Sequence, residues 1–243
     1  MASPGPGIEL SIVVPAYNEA TRIGATLARI VAWARDAKRS IEVLVVDDGS
    51  SDETCRVVDD FARGEPSVRL LRQPRNKGKG ASVKRGMLEA KGAYVLFSDA
   101  DLSSPIEEVD RLMGYIEQGA DVVIGSRSLP DSDIRTRQPR FRETMGRTFN
   151  RIVRIATGLP FHDTQCGFKL FTHKAAQSVF RELTVERFAF DVEMLLIAQD
   201  QHLRVREVPV VWAHAENSRV SPITDSARMF RDVLRVRLSR RRR

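Results

Sequence analysis

Two carboxylates one residue apart, Asp99 and Asp101, follow closely on a short apolar run that ends at Phe97. Presented at a strand end, such a pair can hold a hard divalent cation, Mg2+ or Mn2+, that keeps its other coordination positions for water and a substrate phosphate. A cation there would neutralise charge on a departing diphosphate. The same acids can equally form a loop capping a helix that opens at Pro105. No histidine accompanies them, which argues against zinc. The run Lys77-Gly78-Lys79-Gly80 could cradle phosphates through backbone N–H groups at the start of the next helix. It lacks the Gly-Lys-Ser/Thr ending of a P-loop, and no Gly-x-Gly-x-x-Gly follows the first apolar run, which speaks against an ATPase and a dehydrogenase.

The elements that must carry these residues are short β-branched runs alternating with longer amphipathic stretches, the pattern of β-α units around a mainly parallel sheet. Strands are predicted over Leu10–Val14, Ile41–Val46, Val68–Leu71, Ala93–Phe97 and Asp121–Gly125. Helices are predicted over about Thr21–Lys38, from a Ser50-Ser51-Asp52-Glu53 capping box to Arg63, over Ala81–Ala90, and from Pro105 to Gln118. Beyond Ser126 the alternation stops, and Ser128–Gln138 reads as a mobile polar loop. A helix over Arg142–Thr157, an apolar run at Phe168–Phe171, helices near Ala175–Phe180 and Asp191–Gln201, and a last strand over Val205–Trp212 complete the pattern. With no internal repeat and no linker, the expectation is a disordered start over 1–9, one α/β domain over 10–226, and a basic amphipathic tail over 227–243. Ligands of open parallel sheets bind beyond the carboxyl ends of the strands. Polar loops cluster there: Pro15–Glu19, Asp47–Ser50, Asn76–Gly80, Asp99–Asp101 and Gly125–Arg127. Turns favour such residues anyway, but five loops on one edge exceed what turns alone explain.

The 243 residues carry 39 Lys and Arg against 32 Asp and Glu, a formal charge of +7. Eight arginines and one acid, Asp232, stand between 228 and 243, so this segment holds the whole excess and the preceding 227 residues balance at 31 against 31. A neutral body argues against nucleic acid as a partner, because a binding domain would show its basic excess over its working face. Cys55 and Cys166 lie far apart without CxxC spacing, which fits neither a disulfide framework nor a zinc knuckle and suits a reducing cytoplasm. The first seven residues lack the basic start and apolar stretch of a signal peptide, and no window approaches the ~18 apolar residues of a membrane span. The expected location is cytoplasmic, with any membrane association peripheral and at the inner face.

Taken in order, PAYNE (15–19), VVDDGSSDET (45–54), NKGKG (76–80), FSDADLS (97–103), GSR (125–127) and TQCGFKLF (164–171) resemble the family 2 glycosyltransferases of GT-A fold. The resemblance is nearest to the dolichyl-phosphate and polyprenyl-phosphate sugar transferases, in particular their β-glucosyl branch, and runs from about residue 10 to 238. The early motifs set the class; the later ones, including RFAFDVE (187–193) and EVPV (207–210), point to a lipid-phosphate acceptor. The resemblance implies a nucleotide-sugar fold in which Pro15, Ala16, Tyr17 and Glu19 line the base and ribose, with Asp48 on the base side. Lys79, Asp99, Ala100 and Asp101 would meet the sugar nucleotide, and Asp99 and Asp101 its metal. Ser103 stands where mannosyl relatives carry a metal-assisting glutamine, and Arg219, after Ser218, stands in a Ser-Lys position that closes over the donor diphosphate. Ser126, Arg127, Arg142 and Arg147 match the positions that gather the acceptor phosphate, with Arg127 counted as catalytic beside the two aspartates. Arginine suits that task because its planar fork donates two charge-assisted bonds to phosphate. Arg142 and Arg147 would otherwise be a solvated helix face.

The implied reaction is metal-dependent, inverting transfer of a hexose, glucose from UDP-glucose, to a polyprenyl or dolichyl phosphate. The alternatives are mannose from GDP-mannose, a polysaccharide or glycolipid hydroxyl as acceptor, or a non-catalytic adaptor using only the arginine tail. A phosphate monoester has its second pKa near ~6, so such an acceptor arrives deprotonated and needs no strong general base, unlike a sugar hydroxyl. Asp191 and Glu193, two residues apart, cannot both point one way on a helix; one would touch the sugar or order a loop, unless both simply favour a helix N-terminus. On a helical wheel Met229, Phe230, Val233 and Leu234 share an arc opposite Arg228, Arg231 and Arg235. Such a helix can lie on an anionic membrane or pack on the body.

Overall fold

The four strands β1 (Leu10–Ala16), β2 (Ile41–Asp47), β3 (Val68–Arg72) and β4 (Tyr94–Ser98) are joined by α1 (Ile23–Asp36), α2 (Thr54–Gly64) and α3 (Lys79–Glu89) in a computed structural model that describes residues 7–136, 140–214 and 222–240. The chain continues through α4 (Glu108–Glu117), β5 (Val122–Ser126), β6 (Asp133–Thr136), α5 (Arg140–Thr157), β7 (Phe168–Thr172) and α6 (His173–Glu182). It ends with α7 (Phe190–Asp200), β8 (Val205–Pro209), β9 (Val211–Ala213) and α8 (Pro222–Arg240). A seven-stranded sheet has the order β3-β2-β1-β4-β7-β5-β8, and β6 and β9 form a separate parallel pair. All pairings in the large sheet are parallel except those of β7, which runs antiparallel to both β4 and β5.

Both faces of the sheet are covered, which is why its strands are apolar on both sides. Val13, Val46, Phe97 and Phe171 pack toward α3, α6 and α7, whereas Ile12, Val45, Leu96 and Leu170 pack toward α1, α2 and α4. The period-2 alternation of a strand divides them. Glu42, on β2, is buried because Ser11 and the Lys91 N–H donate to its carboxylate at 2.7 Å each. α7 is buried from Phe190 to Ala198 and is apolar all round there apart from two acids in its first turn.

Several expectations are corrected. Asp133–Thr136 in the expected loop is a strand that pairs with β9, while residues 137 and 138 lie outside the described part. The expected single strand over Val205–Trp212 is two, because the chain leaves the large sheet at Val210 and continues in the small one. The capping box at Ser50–Glu53 does not form; Asp52 instead accepts from the Thr54 N–H at 3.0 Å. Pro105 precedes α4 by one turn, its carbonyl accepting from the Glu108 N–H. α8 spans the expected boundary at 226/227 and buries Met229, Val233 and Val236 in the core near α5 and α7, leaving Phe230, Leu234 and Leu238 exposed.

Candidate active site

A cavity of about 390 Å³ opens at the carboxyl ends of β1, β2 and β4. It is lined by Pro15, Ala16, Tyr17, Glu19, Asp48, Lys79, Asp99, Ala100 and Asp101, so the structure brings together every donor-site residue expected except Arg219, which lies outside the described residues. The parallel sheet explains this convergence, since each of these strands delivers its following loop to the same edge.

The loops are tied to one another. Asn18 sits in the left-handed region at φ 54° and its side-chain oxygen accepts from the Ser51 and Asp52 N–H groups at 2.8 and 3.3 Å. The Glu19 N–H donates to Thr54 Oγ1 at 2.7 Å. Asp48 reaches under the phosphate-type loop: its two oxygens accept from the Lys77 and Gly78 N–H groups at 2.9 and 2.8 Å, and from Gln73 at 2.9 Å. Burial raises the Asp48 pKa and these N–H donors oppose the rise. Gly78 has φ +109°, and a Cβ there would meet the Glu186 carbonyl at 2.6 Å, so only glycine lets this loop pack on the 184–187 segment. That segment is held by Glu193, whose carboxylate accepts from the Thr184 and Val185 N–H groups at 2.9 and 2.6 Å and from the Thr184 hydroxyl at 2.7 Å. Of the two acids opening α7, Glu193 is thus the one that orders a loop.

Lys79 Nζ lies 2.6 Å from Asp99 Oδ1 and 5.3 Å from the Phe97 ring centre. Burial would lower the ammonium, but Asp99, Asp191 and Asp101 hold its pKa above the ordinary lysine value. Asp101 Oδ1 accepts from the Ser103 N–H at 2.9 Å, which fixes the carboxylate beside the cavity. Among the described residues no group of three or more His, Cys, Asp or Glu could hold a metal. Two hard carboxylates facing an open cavity still fit Mg2+ or Mn2+, whose remaining positions water and phosphate would fill. Gly167 shapes this point, as its Cα lies against the Asp99 carboxylate and its carbonyl accepts from the Asp99 N–H at 3.0 Å.

Lys169 was not among the expected site residues, although a lysine inside the apolar run Phe168–Phe171 is a visible signal. It is fully buried, donating to Asp191 Oδ1 at 2.5 Å and to the Cys166 carbonyl at 2.6 Å. Burial raises the Asp191 pKa, against the pull of Lys169 and Lys79. Cys166 is buried and its thiol is pushed up to about 11, as suits a small core residue rather than a nucleophile.

Arg127 is placed in a two-pronged pair with buried Asp163, Nε–Oδ2 2.7 Å and Nη2–Oδ1 2.9 Å, and lies over the Trp212 ring. Burial opposes its charge, but Asp163 raises its pKa; in return Asp163 is held down to about 2. Ser126 is fully buried, its hydroxyl accepting from the Ser128 N–H at 3.3 Å. Ser126 and Arg127 stand at the carboxyl end of β5 and are not among the residues that line the cavity. Arg142 and Arg147 lie on α5, and their side chains are outside the described part. Several lining residues were not among those expected, notably Arg187 and Phe188, before α7, and Arg228, on α8. Arg187 and Phe188 open the RFAFDVE run, which marks the segment but not its place at the cavity, and Arg228 is brought here by long-range packing alone.

The model of the family described as Glycosyl transferase family 2 matches residues 11–180. A dolichyl-phosphate beta-glucosyltransferase of Dictyostelium discoideum is 38% identical over 247 residues, covering 97% of this chain and 76% of that one. The enzyme of the same description from Homo sapiens is 34% identical over 250 residues, covering 96% and 76%. Among solved structures, the glucosyl-3-phosphoglycerate synthase of Mycobacterium tuberculosis, in complex with Mn2+, UDP and glucosyl-3-phosphoglycerate, superposes with a TM-score of 0.69 at 23% identity, covering 96% of this chain and 80% of that one. That likeness establishes the GT-A fold.

Proposed function

The chain belongs to glycosyl transferase family 2, and on that basis we propose that it transfers glucose from UDP-glucose to the phosphate of a polyprenyl or dolichyl lipid. The observation that carries this reading is the gathering of Tyr17, Glu19, Asp48, Lys79, Asp99 and Asp101 around one cavity, in a chain 38% identical to an enzyme whose named acceptor is dolichyl phosphate. A tyrosine face and carboxylate acceptors suit a base and a ribose. The Mn2+ and UDP of the distant Mycobacterium tuberculosis structure support the donor class and the divalent metal.

A divalent cation held by Asp99 and Asp101 would neutralise charge on the leaving diphosphate. Lys79, kept charged by its acidic neighbours, adds a fixed donor at the same end of the bond. An acceptor phosphate oxygen forms the new bond at the anomeric carbon as the bond to the diphosphate breaks, and the pair leaves with the nucleotide, inverting the centre. No proton has to be removed, because the acceptor phosphate is already ionised near neutral pH. The buried acids agree with this: Asp191 is engaged by Lys169 and Glu193 by the 184–185 backbone, so neither is offered as a base.

No helix among the described residues is long and apolar enough to cross a membrane. The outer face of α8, with Phe230, Leu234 and Leu238 exposed beside Arg231 and Arg235, supports peripheral contact with an anionic bilayer. The two free cysteines accord with the cytoplasmic face.

The test is a panel of UDP- and GDP-sugars with a short polyprenyl phosphate and Mn2+ or Mg2+, scored for lipid-linked product. Product from UDP-glucose alone is expected. Product only from GDP-mannose, or only with a sugar hydroxyl as acceptor, would overturn the reading.

A further inference from the structure

Five carboxylates line the cavity, Glu19, Asp48, Asp99, Asp101 and Asp232, against four cations, Arg22, Lys79, Arg187 and Arg228. Most of these charges are already spoken for. Arg22 pairs with Glu19 at 2.7 Å, Lys79 with Asp99 at 2.6 Å, and the Asp48 oxygens are filled by the Lys77 and Gly78 N–H groups and Gln73. Arg187 and Arg228 remain, neither with an ion-pair partner among the described residues. A nucleoside diphosphate would otherwise meet a surface with acids in excess, and guanidinium groups are the side chains best shaped to take two phosphate oxygens at once.

We propose that Arg228, on α8, is a ligand of the donor diphosphate, acting with Arg187 in the cavity that Asp99 and Lys79 also line. The inference rests on the reading of this cavity as a nucleoside-diphosphate-sugar site and adds to it a residue from the C-terminal helix. Two features of α8 suit it to the task. Met229, next in the chain, is buried, and Val233 and Val236 seat the following turns in the core, so the guanidinium is presented by an anchored helix rather than by a loop. Asp232 lies one turn on at i+4 and also lines the cavity, where it can orient the guanidinium along the helix. Arg231 and Arg235, on the same helix, are exposed and do not line the cavity, which makes them internal controls for unspecific charge.

The experiment is calorimetric titration of the full chain with UDP and, separately, with uridine, both with Mn2+ present, for the wild type, Arg228→Ala, Arg228→Lys and Arg231→Ala. Arg228→Ala should weaken UDP by about tenfold or more, the fold-change of a lost charge-assisted hydrogen bond, and leave uridine unchanged. Arg228→Lys should recover part of the loss, and Arg231→Ala should match the wild type. Because Arg228 is exposed, all variants should melt with the wild type. Unchanged UDP affinity in Arg228→Ala, equal weakening of uridine, or an equal effect of Arg231→Ala would each overturn the proposal. A wild type that does not bind UDP would instead overturn the reading of the cavity as a UDP-sugar site, and this inference with it.

Discussion

The Asp99 carboxylate lies so close above the Cα of Gly167 that a methyl group added there would stand 2.0 Å from Oδ2. Position 167 is thereby closed to any residue with a side chain unless Asp99 moves. Gly167→Ala should leave the fold intact and reduce transfer by about 100-fold, since displacing a reacting-site group by an ångström has that effect. Steady-state rates beside a thermal melt check this; a fully active Gly167→Ala would show that Asp99 tolerates displacement.

The Arg127–Asp163 pair makes a pH prediction. Asp163 titrates at about 2 in the folded chain, against about 3.9 when unfolded. Its contribution to stability is therefore fully present above about pH 4 and is lost as the pH falls from about 4 to 2. Asp163→Asn should cost roughly 3 kcal/mol at pH 7 by stranding Arg127, and should flatten the acid limb. Urea unfolding across this range measures both, and an unchanged acid slope in the variant would contradict the assignment.

Lys169 and Asp191 form a directly bonded buried pair. Lys169→Met alone should destabilise by about 3–5 kcal/mol, whereas Lys169→Met with Asp191→Leu should restore much of it, because the desolvation of two charges is then removed together. A double-mutant cycle by chemical denaturation gives the coupling; a single variant as stable as the wild type would rule out a tightly coupled pair.

Glu193 restrains the 184–187 segment against the loop that carries Gly78. Glu193→Ala removes the carboxylate that accepts from two backbone N–H groups, bonds worth roughly 2 kcal/mol together, and the segment should open locally. Trypsin would then cut after Arg187 more than about tenfold faster, with the donor KM rising more than kcat falls. Wild-type cleavage rates in the variant would mean that the segment is held by something else.

The strand-end loops were readable because a parallel sheet sends every βα loop to one edge, so polar clusters after apolar runs had to converge. Asp99, Asp101, Lys79 and Tyr17 meet for that reason. The direction of β7 was not readable: Phe168–Phe171 is equally apolar read either way, and only its pairing with β4 and β5 shows that it runs against them. β6 escaped because its residues are mostly exposed and its ladder to β9 uses backbone groups that any sequence supplies. Arg187 and Arg228 share the cavity with residues far away in the chain, a proximity that no periodicity encodes. For the tail, the wheel identified an apolar arc but could not divide it; the structure sends Met229 and Val233 inward and Phe230 and Leu234 outward.

The reversed entry of β7 turns chain length into a calibrated spacer. Its register sets Phe168 opposite Ser98 and Lys169 opposite both Phe97 and Ile124. The four residues between Asp163 and Phe168 must therefore bridge from the Arg127 ion pair to the underside of Asp99 in one fixed span. Surface connections usually absorb insertions and deletions, but an indel here would either drag Asp163 off Arg127 or slip β7 by one step. A slip would turn Lys169 away from Asp191 and toward the opposite face of the sheet. From 164 to 166 the residue type can vary, but Asp163, Gly167 and the number of residues between Asp163 and Phe168 are fixed.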